Sequence, residues 1–311
     1  MTKFYLAPME GITGYIFRNA YHHNFSPMDK YFTPFISNKG LGKKELNDIL
    51  PEHNKDMCVV PQILTNSVGH FLRITRELAK YGYDTVNINL GCPSGTVVSK
   101  KHGAGFLTVP DELDAFFEEI FEKSSFKISV KTRIGMEDEA EWEKIVEVYK
   151  KYPFEELIVH PRLRKDLYKG NVRITAYEYV CQNIDVPLCY NGDIVSKESC
   201  ESFLRAFPDT KNVMTGRGIL KNPALISDIK EENVQKPDKL RDFHEELLDG
   251  YRSIMSGDMN TLFKMKELWG YLGENFAGAQ KQLKKIKKAQ KISEYEEAVR
   301  SIFTDCEWKC V

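Results

Sequence analysis

The sequence lacks the long apolar segments and leader features that would direct a protein to a membrane. No apolar run approaches the ~20 residues needed to cross a bilayer. The N-terminal residues Met1–Tyr5 enter a strand-like segment at once, without the basic, apolar and small-residue regions of a signal peptide. We therefore expect a cytoplasmic protein that has no membrane partner.

Cysteine is sparse and scattered. The 311 residues contain 7 cysteines, an odd number, and no Cys-x-x-Cys pair. In a chain of this size that pattern argues against a disulfide framework or a structural zinc site. Cys306 and Cys310 lie four residues apart, but two thiols alone make a poor metal site. We expect no bound metal.

Net charge is also nearly absent, since 44 Lys and Arg residues face 45 Asp and Glu residues for a formal charge of -1. Any contact with nucleic acid must then come from a local basic patch. Residues 281–291 contain six lysines and no acidic residue, and a helical period would turn Leu283 and Ile286 inward. By itself such a run is as often a solvated helix face as a binding surface.

Short runs rich in apolar, β-branched and aromatic residues recur eight times in the first 220 residues. They are Phe4–Met9, Tyr31–Ile36, Met57–Leu64, Thr85–Cys92, Ile128–Ile134, Glu156–Arg162, Pro187–Ile194 and Lys211–Gly216. Segments of helical period lie between most of them: Ser67–Tyr81, Asp111–Glu122, Glu139–Lys151, Thr175–Asn183 and Ser196–Phe207. This alternation predicts an α/β fold, a (β/α)8 TIM barrel, with a doubly wound open sheet as the alternative.

The strand pattern stops after Asn222-Pro223, and a polar stretch at residues 231–236 is typical of a linker. From about Pro237 the apolar residues follow a helical period to the end of the sequence. We predict two domains, a catalytic barrel of residues 1–230 and a small helical domain of residues 237–311. We expect the protein to be a monomer.

Several predicted strands end in polar residues or glycine. These ends are Pro8–Gly11, Pro61-Gln62, Asn89–Cys92, Lys131–Arg133, His160–Arg162, Asn191–Asp193 and Gly216–Gly218. In a barrel all strand ends of this kind meet at the carboxyl face, where active sites are built. Seven such ends together predict a polar pocket.

The last two of these ends have the composition of a phosphate site. Asn191-Gly192-Asp193 and Gly216-Arg217-Gly218 offer backbone N–H groups and the Arg217 guanidinium, at the place where barrels commonly bind phosphate. The alternative is that the glycines only turn the chain. Having both loops, with an arginine in the second, favours phosphate binding.

Cys92 ends the fourth predicted strand and precedes a loop that contains Gly95, Gly103 and Gly105. Most cysteines are inert small hydrophobic residues. Its position in the mouth of a barrel allows a catalytic role, but the residue type alone does not decide between the two.

Five motifs carry a resemblance to a known family. They are Ala-Pro-Met-Glu-Gly-Ile-Thr at 7–13, Asn-Leu-Gly-Cys-Pro at 89–93, Val-Lys-Thr-Arg-Ile-Gly at 130–135, Asn-Gly-Asp-Ile at 191–194 and Gly-Arg-Gly at 216–218. In order and spacing they resemble the dihydrouridine synthase family, and the likeness runs from residue 4 to about 225. The tail, with Lys264, Lys266, Glu267 and Tyr271, looks like that family's RNA-binding domain.

The resemblance implies an FMN cofactor, NADPH as reductant and a uridine in folded RNA, expected to be tRNA, as substrate. It makes Cys92 the general acid. The implied FMN contacts are Pro8, Met9, Gln62, Lys131, His160, Asn191, Gly192, Asp193, Gly216 and Arg217. The implied uracil contact is Asn89, and Arg162 is a further predicted substrate contact. Beside a barrel mouth that takes a large anionic substrate, phosphate binding is the better interpretation of the basic run, so Lys281, Lys284, Lys285 and Lys288 are predicted to contact the RNA. One departure is His160-Pro161-Arg162-Leu163, where the family usually has His-Gly-Arg-Thr.

The chemistry of uracil reduction suits these residue types. Hydride from a reduced flavin adds at C6, which leaves an enolate that must take a proton at C5. A protonated cysteine can supply that proton. Lys131 would stabilise negative charge on the reduced flavin ring, and a lysine facing a barrel interior is costly without an anion.

Two other functions remain open at this point. The first is an FMN barrel oxidoreductase for a small molecule such as a free pyrimidine or dihydroorotate, which would share the phosphate loops and Lys131 but would not need the lysine run. The second is an RNA-binding protein that has kept the barrel without catalysis. The joint presence of Cys92, Lys131 and Arg217 favours an enzyme over the second.

Overall fold

The computed structural model describes residues 2–37, 41–232 and 236–309. They fall into two compact units. The first comprises the described residues of Met1–Gly11, Asp29–Gly192 and Phe207–Met214, and the second those of Ile12–Met28, Asp193–Ala206 and Thr215–Val311. Residues 233–235 of the predicted linker lie outside the described residues, as does Cys310. The boundary between domains of residues 1–230 and 237–311 stays a prediction.

The first unit is built on a parallel sheet. Its strands are β1 Lys3–Leu6, β2 Lys30–Phe32, β3 Val59–Val60, β4 Gln62–Ile63, β5 Thr85–Leu90, β6 Lys127–Arg133, β7 Glu156–His160, β8 Leu188–Tyr190 and β9 Asn212–Thr215. They follow the order β3-β2-β1-β9-β8-β7-β6-β5-β4. Each predicted strand run overlaps one of these strands or, at Met57–Leu64, two, and β1, β2 and β6 begin one residue before their runs.

The two edge strands of this sheet are neighbours in the sequence. Only Pro61 separates β3 from β4, and proline has no N–H to give to a strand ladder. The two strands are thus one segment interrupted at Pro61, which leaves eight strand segments in a nearly closed barrel. The predicted (β/α)8 TIM barrel is confirmed, and the open-sheet alternative is wrong.

Helices follow most of the strands, and further helices make up the C-terminal part. They are α1 Tyr15–Asn24, α2 Lys43–Ile49, α3 Val68–Ala79, α4 Gly95–Val98, α5 Pro110–Lys123, α6 Glu141–Tyr149, α7 Ile174–Asn183, α8 Lys197–Ala206, α9 Arg217–Lys221, α10 Leu225–Ile229, α11 Lys236–Ile254, α12 Asp258–Leu272, α13 Gln280–Lys288 and α14 Ile292–Asp305. Across the described ranges, none of them is long and apolar enough to span a membrane. The predicted C-terminal helices are therefore present.

The barrel interior is apolar in the middle and has a buried charge at the amino ends of the strands, opposite the predicted pocket. Its apolar cluster consists of Tyr5, Ala7, Phe32, Val60, Ile158, Cys189 and Met214. Next to it, the buried carboxylate of Glu156 accepts hydrogen bonds from Tyr5 Oη at 2.9 Å and Asn212 Nδ2 at 2.6 Å. Lys30 Nζ lies 3.3 Å from the same carboxylate. These partners satisfy the charge, so this end of the barrel is structural.

The second unit is mainly helical. The rings of Phe17 and Phe25 each lie 5.5 Å from that of Phe243 on α11, which joins α11 to α1. A short antiparallel ribbon, β10 Phe276–Ala277 with β11 Glu307–Trp308, was not foreseen from the sequence. Its two-residue strands are too short to give a period in the sequence.

Candidate active site at the carboxyl ends of the strands

A network of amide side chains joins the neighbouring strands β4, β5 and β6. Asn87 and Asn89 are two residues apart on β5 and so project from the same face. Gln62 joins them, because its Nε2 donates to Asn87 Oδ1 at 2.8 Å and its Oε1 accepts from Asn89 Nδ2 at 2.8 Å. Asn87 Nδ2 in turn donates to Ser129 Oγ at 2.9 Å. The predicted site residues Gln62 and Asn89 are thus held in a buried network.

Asn89 also fixes the backbone of the predicted general acid. Its Oδ1 accepts hydrogen bonds from the N–H groups of Gly91 at 3.0 Å and Cys92 at 2.9 Å. The Cys92 side chain is partly buried, and burial raises the pKa of its thiol above the ordinary value. The positive charges of Arg133 and Lys131 act in the opposite direction. The net effect keeps the thiol protonated at neutral pH, as a proton donor requires.

Lys131 lies beside this network on β6, where it is in register with Asn89. Burial lowers the pKa of its ammonium to about 8, and the nearby charge of Arg133 lowers it further. Within the described residues Lys131 makes no hydrogen bond or ion pair. A buried cation without an anion is costly, so the position suits an anionic or electron-rich ligand.

Arg133, two residues further on β6, is a site residue for which the sequence suggested no role. Its guanidinium is almost completely buried and donates to three backbone carbonyls, those of Gly91 at 3.0 Å, Leu163 at 2.9 Å and Leu167 at 2.7 Å. The Tyr168 ring lies 5.4 Å from the guanidinium carbon. Arg133 therefore ties the loop that begins at Gly91 to the loop that follows β7.

The segment after β7 contains the departure from the family pattern. The N–H of Arg162 donates to the His160 carbonyl at 2.7 Å, which makes a tight three-residue turn centred on Pro161. The fixed φ of proline suits such a turn. The Arg162 guanidinium contacts His160 Nε2 at 3.2 Å and donates to the Gly170 carbonyl at 2.6 Å. Because arginine can only donate, Nε2 of His160 accepts.

The remaining predicted cofactor residues of the first unit lie at strand ends. Pro8 and Met9 follow β1 and are partly exposed. Asn191 follows β8, and its Nδ2 donates to the Met214 carbonyl at 2.9 Å. A Cβ atom on Gly192 would lie 2.8 Å from Tyr190 Oη and from Val172 Cγ1, so only glycine fits there.

In the second unit the predicted phosphate residues form an ion pair. Arg217 Nη2 lies 3.1 Å from Asp193 Oδ1, and both side chains are partly exposed. Gly216 directly precedes α9. Asp193 has a φ of 42°, in the left-handed region, which marks a tight turn at this loop.

The lysine run forms α13, followed by Lys291. Ile286 and Ala289 are buried and Leu283 is partly buried, whereas the lysines at 281, 284, 285, 287, 288 and 291 are exposed. Within the described part of the chain none of the five lysines on α13 pairs with an acidic side chain. The helix therefore presents an uncompensated positive surface.

Some of these residues could have been found from sequence. Asn87 shares the period of Asn89 in an otherwise apolar strand, and Arg133 shares that of Lys131. The described residues contain no group of three or more His, Cys, Asp and Glu side chains that could hold a metal.

Comparison with known proteins

The barrel and its polar strand ends define an α/β-barrel protein with a candidate active site at the carboxyl face. The chain belongs to the Dihydrouridine synthase (Dus) family, whose profile matches residues 5–306. The resemblance stated from the motifs is therefore confirmed.

Named relatives agree with this assignment. A probable tRNA-dihydrouridine synthase of Staphylococcus aureus (strain COL) is 27% identical over 242 residues, which cover 75% of this chain and 73% of that protein. Probable tRNA-dihydrouridine synthase 2 of Bacillus subtilis (strain 168) is 27% identical over 258 residues, covering 80% and 78%. The solved structure of the old yellow enzyme homologue from Zymomonas mobilis is similar with a TM-score of 0.51, 12% identity and coverage of 78% of this chain and 92% of that one. At that identity the likeness concerns the fold alone.

Proposed function

We propose that the protein is a cytoplasmic, FMN-dependent tRNA-dihydrouridine synthase, which reduces the C5=C6 bond of a uridine in folded RNA and takes its electrons from NADPH. Family membership and the names of the relatives support the substrate. The observation that carries the chemistry is the juxtaposition of a protonated Cys92 with Lys131, each within electrostatic range of the other.

The residues present fit a flavin. Lys131 is a half-buried cation with no ion-pair partner among the described residues, and it is in register with Asn89, whose amide binds Gln62. When bound, reduced FMN supplies the hydride that adds to C6 of uracil. Lys131 would help to hold the flavin and would offer it a positive charge that stabilises the reduced form.

Cys92 provides the proton that completes the reduction. Its S–H bond breaks as a C–H bond forms at C5, so the hydride and this proton together account for the two hydrogens added to uracil. The resulting thiolate recovers its proton from solvent. The raised pKa of the thiol keeps the proton on sulfur before the reaction, since a thiolate formed in advance could not donate.

Asn89 and Arg162 are the proposed contacts to the uracil. Asn89 Nδ2 gives one hydrogen to Gln62, which leaves its second for a carbonyl of the base. Arg162 is only 2% exposed, so the base would have to enter the pocket to contact it. His160 is proposed to face the flavin.

Phosphate binding is assigned to the residues predicted for it, which are Asn191, Gly192, Asp193, Gly216 and Arg217. The support is the composition of the two loops together with the close packing at Gly192, where a Cβ atom would lie 2.8 Å from side-chain atoms of Tyr190 and Val172. Arg217→Ala should reduce the FMN retained by purified protein. Since Arg217 pairs with Asp193 on a partly exposed surface, the variant should remain folded.

The function is tested with the purified full chain, NADPH and an unmodified tRNA transcript. Dihydrouridine is detected by mass spectrometry after nuclease digestion, and the extracted cofactor is identified as FMN or FAD. Cys92→Ala should retain flavin and still accept hydride from NADPH, while product formation falls by about 10²–10⁴-fold. Cys58→Ala, at an exposed cysteine, is the matched control and should behave as the wild type.

Each other result would point elsewhere. Activity on free uridine at a similar rate would make the protein a small-molecule oxidoreductase. Protein that binds the transcript but holds no flavin, even after reconstitution, would be an RNA-binding protein. Near-normal turnover by Cys92→Ala would remove the cysteine from the mechanism.

A further inference from the structure

The loop that carries Cys92 returns and packs directly against it. The Ala104 N–H donates to the Cys92 carbonyl at 3.1 Å. A Cβ atom on Gly103 would lie 2.9 Å from both the Cβ and the carbonyl oxygen of Cys92, and Gly103 has a φ of 54°. The return arm, residues 99–104, is therefore tightly packed against Cys92 at Gly103. A shift of Gly103 would displace Cys92 as well.

His102, immediately before Gly103, is held by a side chain from another loop. Its Nε2 lies 2.9 Å from Oδ1 of Asn66. Asn66 Nδ2 lies 3.3 Å from the carbonyl oxygens of Lys100 and of Lys101. Because the amide nitrogen faces two carbonyls, the amide oxygen faces His102, and the imidazole must donate from Nε2. One asparagine thus holds three consecutive residues of the cysteine loop.

Asn66 is itself fixed at the start of α3. On one side the buried Thr65 accepts a hydrogen bond from the Ser67 N–H at 3.0 Å. On the other side Ser67 caps the helix by accepting from the His70 N–H at 3.4 Å. Burial and the nearby Lys100 and His70 lower the pKa of His102, so its ring is neutral at pH 7. The contact is therefore a hydrogen bond between two neutral side chains, and hydrogen bonds on both sides of Asn66 fix its position.

We propose that Asn66 and His102 are positioning residues, which hold the return arm of the loop against Cys92 and thereby set the position of the thiol that protonates the substrate. The inference rests on the proposed function for the role of Cys92. It does not rest on that function for the contact itself. Asn89 fixes the stem of the loop from within the barrel, and the Asn66–His102 pair fixes its far end.

The physical reason is that general acid catalysis tolerates little displacement. A misplacement of about 1 Å can cost about 10²-fold in rate. Ser99, Lys100 and Lys101 are exposed, so without the hydrogen bond few contacts would fix this part of the loop. The partly buried thiol would then be more accessible and less well aimed.

The test compares His102→Leu, His102→Gln and Asn66→Ala in the flavin-loaded full chain. The first readout is the rate at which iodoacetamide alkylates Cys92, followed on the isolated peptide because Cys58 and Cys181 are also exposed. The second is the division of any activity loss between kcat and KM for a tRNA transcript. Glu112→Gln is the control, since it removes the exposed ion pair with Lys101 on the same loop without touching Asn66.

His102→Leu and Asn66→Ala should both raise the alkylation rate at least about 3-fold. They should lower kcat about 10- to 100-fold and leave KM within about 2-fold. His102→Gln should recover most of both losses, because its amide N–H can still reach Asn66. Glu112→Gln should change neither readout.

Unchanged alkylation and kcat in both disrupting variants would overturn the proposal, as would a loss that lies entirely in KM. If His102→Leu loses its flavin or its fold, the alkylation rate and kcat of Asn66→Ala and His102→Gln still test the hydrogen bond, since each variant changes one of its two partners. If the wild type forms no dihydrouridine, the proposed function fails, while the alkylation arm still decides whether the pair holds the loop.

Discussion

The side-chain oxygen of Asn89 lies 2.9 Å from the backbone nitrogen of Cys92, so a residue inside a strand determines where the reactive loop begins. The same oxygen accepts from Gly91, and the amide nitrogen is bound to Gln62. Asn89 thus connects the reactive loop to the amide network of the barrel interior. This structural role is separate from the proposed contact of Asn89 with uracil.

Asn89→Ala should therefore affect stability as well as activity. It leaves the N–H groups of Gly91 and Cys92 and the Oε1 of Gln62 without their partner, which should lower the free energy of unfolding by about 1–3 kcal/mol. Asn89→Asp keeps the oxygen that accepts from Cys92 and should lose less. Urea denaturation of the two variants gives the comparison, and equal stability of Asn89→Ala and the wild type would contradict it.

The half-buried ammonium group of Lys131 predicts a stability that depends on pH. Its pKa is about 8 in the folded protein and near the ordinary value of 10.5 when unfolded. The charged form is thus disfavoured in the folded state. The resulting loss in the free energy of unfolding is complete below pH 8 and disappears as the pH rises toward 10.5. Lys131→Met should stabilise the flavin-free protein at pH 7 by about 1–3 kcal/mol, and this gain should shrink at pH 10.

Chemical denaturation at the two pH values measures this difference. Lys127→Met is the matched control, because Lys127 lies on the same strand but is exposed, 3.7 Å from Asp84. A gain of equal size at pH 7 and pH 10 would show that added apolar contacts, not the removed charge, stabilise the variant.

The helical part of the second unit should be sensitive to acid. Trp269 Nε1 donates to Tyr295 Oη at 2.8 Å, and that hydroxyl lies 2.6 Å from His244 Nε2. Burial lowers the pKa of His244 to about 4, so its ring is neutral at pH 7. Because a histidine of the unfolded chain takes up its proton near pH 6.5, this contribution to stability is present above that pH and is lost as the pH falls toward 4.

Replacing this histidine should remove that part of the pH dependence. The wild type should lose on the order of 3 kcal/mol between pH 6.5 and pH 4 through this group, and His244→Gln should lose correspondingly less, whatever its stability at pH 7. His23→Gln, at an exposed histidine paired with Glu246, is the control. Parallel pH curves for the wild type and His244→Gln would refute the assignment.

The sequence predicted much of the barrel because runs typical of strands alternate with segments of helical period. Lys131, Asn89 and His160 lie in the carboxyl halves of their strands, so their place at the mouth follows from the barrel, and their role there stays a prediction. Contacts to backbone carbonyls could not be predicted, because a carbonyl is present at every residue. The contacts of Arg133 with Gly91 and of Asn66 Nδ2 with the carbonyls of Lys100 and Lys101 are of this kind. The Asn66–His102 hydrogen bond joins two side chains 36 positions apart, and nothing in a strand or helix period connects them.

The lysines of α13 remain the strongest prediction about RNA. To reach the flavin proposed for the barrel mouth, a stacked uracil must leave its helix, which costs a few kcal/mol. In a chain whose net charge is -1, phosphate contacts outside the pocket are the natural offset. The exposed lysines of α13 have no acidic partner within the described residues, so their charge is available to an anion.

Replacing Lys281, Lys284, Lys285 and Lys288 with glutamine should leave flavin content and NADPH oxidation unchanged, because none of the four lies in the barrel. RNA binding should weaken, and the slope of log K against log salt should become shallower by up to about 3, since each phosphate contact contributes roughly 0.7–0.9. The matched control replaces Lys80, Lys123, Lys127 and Lys150, which carry the same charge but each lie within ion-pair distance of an acidic side chain. Filter binding of a tRNA transcript at several salt concentrations measures both variants. If the two slopes fall equally, the contribution of α13 is only that of net charge; if neither changes, the lysines are a solvated face and another surface holds the RNA.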